Sequence, residues 1–160
     1  MTPEEKIEEM GLVLPPRVTL PEGMHLPFSM INVRGDRALF SGHPRHGADG
    51  KITGPFGTFG AQLTTEEGYA AAREVALSVL ANLRAEIGAL SRISGFVKVF
   101  GMVASTPDFT QQHLVVNGFS DLILSVFGPD VGRHSRSAVG MTSLPAGFAM
   151  EIEGEVLIRP

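Results

Sequence analysis

Residues 148–158 constrain the fold more than any other stretch. Phe148, Met150, Ile152, Val156 and Ile158 alternate with Glu151, Glu153 and Glu155. A period of two sends successive side chains to opposite faces of a strand, so this strand has one apolar face and one wetter, acidic face. The apolar face has to be covered by another layer of secondary structure. Upstream, Arg136-Ser137-Ala138-Val139-Gly140 opens a second strand with an arginine, and Leu144-Pro145 marks a turn between the two. The planar guanidinium of arginine matches both oxygens of a carboxylate at once. If the two strands pair, Arg136 and Glu151 come together as a small carboxylate-binding site. Arg136 would be the anchor, and Glu151 would hold a water or move a proton.

The covering layer is legible further upstream. Thr64-Thr65-Glu66-Glu67 has capping-box spacing. Val75, Ala76, Val79, Leu80, Leu83 and Ile87 then recur at helical period, and Gly88 follows as a stop. Thr106-Pro107-Asp108 predicts the start of a second long helix, with Thr106 as cap, ending at Gly128-Pro129. Between the helices, residues 93–103 read as an apolar strand whose only charge is Lys98. Residues 28–33 and 37–41 read as two strands joined by the Arg34-Gly35-Asp36 turn, and residues 43–60 as a loop with a short strand near Lys51-Ile52. Residues 2–10 read as a short helix capped by Thr2, followed by a proline-rich extended arm. The order strand, strand, helix, strand, helix, strand, strand predicts an α+β fold, one mixed sheet packed against two helices. The arm and short helix occupy residues 1–27, and a single domain occupies residues 28–160. If the second face of the sheet is also apolar, self-association is expected to bury it.

Composition narrows the function classes. A formal net charge of −4 argues against a nucleic-acid partner, whose usual footprint is a basic face. The absence of cysteine excludes disulfides, a thiol nucleophile and thiolate metal sites. No uninterrupted apolar run reaches the length of a membrane span. The acidic start Met1-Thr2-Pro3-Glu4-Glu5 lacks the order of a signal peptide, so a cytoplasmic protein without a membrane partner is expected. His43 and His46 have His-x-x-His spacing, but they lie in a loop with only Asp49 as a nearby acid. No metal site is expected there, and His43 is read as lining a cleft. The glycine-rich residues 54–60 lack the lysine of a phosphate loop. Glu151 has three readings: a water-positioning or proton-moving group, a charge on the solvated face of the alternating strand, or an ion-pair partner of Arg136, which would lower its pKa and make it a poorer base. Glu153 shares its face by alternation and could exchange roles with it.

Several motifs occur in a collinear order. They are Leu39-Phe40-Ser41-Gly42, then Val79-Leu80-Ala81-Asn82-Leu83, then the strand from Val97 to Val103 followed by Pro107-Asp108-Phe109. Val116-Asn117 and the stretch from Arg136 through Leu144-Pro145 to Glu151-Ile152-Glu153 complete the set. Together they resemble the Rid (reactive intermediate deaminase) or YjgF family, and the chain looks like a divergent member. The resemblance implies a chorismate-mutase-like fold and a homotrimer with clefts between subunits that bind small carboxylate metabolites. It also implies hydrolysis of enamines or imines, such as 2-aminoacrylate or 2-iminobutyrate, to 2-keto acids and ammonia without any cofactor. The carboxylate-binding arginine falls on Arg136, the water-positioning glutamate on Glu151 and a substrate-binding asparagine on Asn117. Many active relatives have Pro-Tyr where this chain has Pro27-Phe28, so Phe28 occupies a substrate-binding position without the hydroxyl. His43-Pro44-Arg45-His46 likewise replaces a glutamine-containing segment. A non-catalytic trimeric carboxylate binder is the alternative reading, with an endoribonuclease behind it.

Overall fold

The computed structural model describes residues 1–160, and its elements start largely where the sequence supplies a signal. Helix α1 (Pro3–Glu9) and helix α2 (Thr65–Ile87) both open with complete capping boxes, Thr2 with Glu5 and Thr64 with Glu67. Each box satisfies two backbone groups that a helix end would otherwise leave unpaired. Gly88 ends α2 at a φ of 92°, a conformation that costs a residue without Cβ little. The strands are β1 (Ile31–Arg34), β2 (Arg37–His43), β3 (Arg45–His46), β4 (Ile52–Gly54), β5 (Ile93–Ala104), β6 (Ser135–Met141) and β7 (Met150–Ile158). The second long helix, α3 (Gln112–Gly132), begins later than the Thr106 cap predicts. At Thr106 the chain closes a single turn instead, the Thr106 carbonyl accepting from Phe109 N–H while its own N–H donates to the Phe59 carbonyl, and its hydroxyl accepts from no helix N–H. Gly128 breaks α3 at the expected place, with φ 72° and ψ 173° ahead of Pro129.

Strands β1-β2-β7-β5-β6 form one sheet, antiparallel throughout except for the parallel β5–β6 pair, and β3 with β4 forms a separate ribbon. The sheet corrects the pairing on which the sequence argument began. β6 and β7 do not touch, because β5 lies between them. Lys98 is the only charge in β5, so this strand suits the interior of a sheet. β6 carries Arg136 as its second residue and runs along the edge.

One face of the sheet carries Ala38, Phe40, Val99, Val103, Ile152 and Val156, all buried beneath α2 and α3. A cluster of 30 buried residues fills this layer. Val115, Val116, Phe119, Leu122 and Ile123 of α3 belong to it, so this helix, apolar and long enough to cross a membrane, is here a core helix. Ile7 of α1 is 1% exposed and joins the same cluster, adding a third helix to the expected two. The helices approach closely at Gly118, where a Cβ would lie 2.0 Å from the Tyr69 carbonyl oxygen. The other sheet face has no covering layer. Leu39 and Leu157 are exposed there, and Phe28, Asn32, Leu39, Lys98, Phe100 and Glu153 line a groove of about 650 Å³.

Candidate active site

Arg136 lies on the helix side of β6, in register with Val99. Its Nη1 donates to Asn117 Oδ1 (2.9 Å) and Ser120 Oγ (3.1 Å), and its Nη2 donates to the His113 carbonyl (3.3 Å). Asn117 and Ser120 are three residues apart on α3, which puts them on one helix face. Ser120 in turn meets His134 Nε2 at 2.9 Å, while His134 Nδ1 lies 2.7 Å from the Gly132 carbonyl. With the ring proton on Nδ1, donated to Gly132, His134 is neutral and the Ser120 hydroxyl donates to it. Burial, followed by the charge of Arg136, keeps the His134 pKa below its ordinary value. Burial also lowers the Arg136 pKa. The four ion pairs of the chain are Lys6–Glu9, Arg17–Glu86, Arg37–Glu155 and Arg45–Glu74, so Arg136 forms no ion pair, and the charge of Asp121 acts on it only from beyond contact distance. It is a half-buried cation held from behind by neutral acceptors, with N–H groups left over for an anion.

Glu151 lies on the opposite sheet face, in register with Met102. Its carboxyl has no hydrogen-bond donor or cation beside it in the chain, and burial, then the charge of Glu153, raises its pKa. The reading of Glu151 as a resting ion-pair partner of Arg136 is therefore corrected. A Cβ on Gly42 would come within 2.7 Å of Glu151 Oε2, so the bare backbone at Gly42 makes the room this carboxyl occupies. Glu151 borders a second cavity, of about 410 Å³, which Phe28 and His43 also line. Phe28 is 55% exposed and forms a wall common to this cavity and the open groove.

His43 is 1% exposed, and both its nitrogens are taken. Nδ1 meets the Ser41 carbonyl and Nε2 meets Asn82 Nδ2 at 3.0 Å. Asn82 Oδ1 then accepts from Val18 N–H (2.9 Å), and His46 Nε2 meets the Pro16 carbonyl (2.9 Å). The two histidines of the His-x-x-His spacing fasten the N-terminal arm, and no three His, Asp or Glu side chains converge on a metal position. Burial pushes the His43 pKa down to about 4, so its ring is neutral and serves as a wall.

The expected site residues thus fall into two groups. Arg136 and Asn117 lie at the β6–α3 edge, while Phe28, His43 and Glu151 gather beneath the arm. Arg136 and Glu151 are separated by β5, at about 4.8 Å per strand spacing, and face opposite sides of the sheet. Sequence reasoning missed Ser120, whose signal is its i+3 spacing from Asn117. It also missed the role of His134 and the dependence of Glu151 on Gly42.

The comparisons with known proteins fit this architecture. A family model described as "YjgF/chorismate_mutase-like, putative endoribonuclease" matches residues 4–148. The chain belongs to this family. Protein TCP17 of Trypanosoma cruzi is 49% identical over 113 residues, 71% of this chain and 69% of that protein. The crystal structure of Atu1372 from Agrobacterium tumefaciens, a protein of unknown function, is 35% identical and superposes with a TM-score of 0.86 over 99% of this chain and 94% of its own. A structure from Shewanella oneidensis, described as "a putative endoribonuclease", is 30% identical with a TM-score of 0.86, covering 99% of this chain and all of its own. The matched residues include Phe28, His43, Asn117 and Arg136 and end just before the Glu151 strand.

Proposed function

We propose that this protein hydrolyses small 2-imino acids, or the enamines that tautomerise to them, to 2-keto acids and ammonia. The observation that carries the reading is the Arg136 guanidinium, half-buried and bonded only to neutral acceptors. Such a cation favours an anion with two oxygens in a fork geometry. The substrate carboxylate docks on Arg136, with Asn117 Nδ2 free to donate to a neighbouring atom. Glu151 supplies the second function. Its carboxyl meets no donor or cation in its own chain, so it is open to take a proton from water and return it. Water adds to the imine carbon as Glu151 accepts its proton. Glu151 returns that proton to the nitrogen, which gives a carbinolamine. The carbinolamine hydroxyl then passes its proton through Glu151 to the nitrogen as the C–N bond breaks and the C=O bond forms, so both water protons leave with NH₃. Overall, R–C(=NH)–COO⁻ and H₂O give R–C(=O)–COO⁻ and NH₃.

Because the two groups face opposite sides of one sheet, the site combines Arg136 of one copy with Glu151 of another. The three-fold assembly implied by the family resemblance supplies such an interface, and the open sheet face, with Leu39, Leu157 and Phe100, is a surface an oligomer would cover. An endoribonuclease reading fares worse. The face that carries Glu151 also carries Glu153 and Glu155, which repel a phosphate backbone. The test is the decay of 2-iminobutyrate generated in situ. Wild-type protein is expected to accelerate it, and Arg136→Ala and Glu151→Gln are each expected to lose at least about a hundred-fold in rate. Unaccelerated decay with the wild-type protein refutes the hydrolytic reading.

A further inference from the structure

Resting on that proposed site, we infer that the N-terminal arm builds a side-chain pocket that selects 2-imino acids with bulky apolar side chains over small ones. Val18 and Leu20 are two residues apart on the extended arm, and both turn inward over the cavity that ends at Glu151. Leu26 and Met30 close the same cavity from further along the arm, and Phe148 and Ile52 close it from the body. The two histidines in the wall offer little to a polar ligand. His43 has both nitrogens occupied, and His46 gives its Nε2 to the Pro16 carbonyl. Glu151 is therefore the unpaired charged group of an otherwise apolar enclosure.

The volume, about 410 Å³, exceeds what the methyl or ethyl group of the smallest 2-imino acids would fill. An isobutyl, thioether or benzyl group removes more apolar surface from water there, at about 0.8 kcal/mol per methylene buried. The pocket is also fixed rather than improvised. Val18 N–H is tied to Asn82, Thr19 N–H to the Gly50 carbonyl, and the Pro16 carbonyl to His46. A pre-formed apolar pocket costs little ordering when it is filled. A substrate whose imine nitrogen or attacking water meets Glu151 thus extends its side chain beneath the arm.

Stable 2-keto acids test the pocket independently of turnover. Calorimetric titration of the full-length protein with pyruvate and with 4-methyl-2-oxopentanoate is expected to give at least about ten-fold tighter binding of the branched acid. Leu26→Trp, which fills the cavity, is expected to abolish that preference by weakening the branched acid at least about ten-fold more than pyruvate. Leu20→Phe is a gentler filling variant that reports the same loss if Leu26→Trp does not fold. Equal affinities in the wild type overturn the inference, as does parallel weakening of both acids in the variants or no binding of either. Turnover is read separately. Size-ranked binding without imine hydrolysis retains the pocket and refutes the hydrolytic reading. Hydrolysis without size preference does the reverse.

Discussion

A carboxyl group with half its surface removed from water and no cation beside it is poorly solvated, and Glu151 is such a group. Its folded pKa lies above its unfolded value. The fold is therefore favoured below the unfolded pKa and loses stability as pH rises through the raised one. Glu151→Gln should consequently raise the unfolding free energy at pH 7. The gain should stay below about 1 kcal/mol, because the group remains partly exposed and solvent screens it. The same change should abolish turnover, and thermal melts beside imine-decay rates check both. A stabilising substitution that destroys activity marks a group kept for function. Gly42 adds a second prediction. Gly42→Ala places a methyl against Glu151 Oε2 and should cut kcat by about ten-fold or more by moving the carboxylate, while changing the melting temperature little. The side chain is flexible at that end, so the clash displaces the carboxylate rather than the backbone.

The elements that hold these residues are set by close packing and by the arm. Gly118 allows α2 and α3 to meet with backbone at the contact, and this sets the height of Asn117 and Ser120 above Arg136. Gly118→Ala forces a methyl against the Tyr69 carbonyl and should cost about 3 kcal/mol in chemical denaturation. The arm depends on a neutral His43. Its folded pKa of about 4 is below the ordinary value of 6.5, so the stabilisation is complete above about pH 6.5 and is lost as pH falls towards 4. The loss approaches about 3 kcal/mol by the size of that shift. It should appear in denaturation curves, and as a His43 ring that titrates late by NMR. At this scale much was legible in the sequence. Both capping boxes, the Gly88 stop, the Gly128 break and the alternation of β7 are local signals, and the chain obeys them. The start of α3 was not legible, because the Thr106-Pro107-Asp108 signal closes only a single turn, docked through Thr106 N–H on the distant Phe59 carbonyl. Nor was the clip on the arm, since Asn82 and Val18 are 64 residues apart.

Strand order belongs to the whole molecule, and there the sequence was least explicit. Nothing local to the 136–158 segment says that β5 inserts between β6 and β7, so the pairing of Arg136 with Glu151 looked like the work of adjacent strands. The register instead separates them by a strand and a face. Under the proposed function, that separation gives each chain two half-sites, and a complete site needs Arg136 of one copy and Glu151 of another. Arg136→Ala and Glu151→Gln chains, each inactive alone, should therefore complement one another when unfolded together and refolded as mixed oligomers. With random mixing of equal amounts, a site holds both intact groups about one time in four, so about a quarter of wild-type imine hydrolysis is predicted. Activity that stays at the level of the separate variants, beside an active wild type refolded in the same way, would contradict the account.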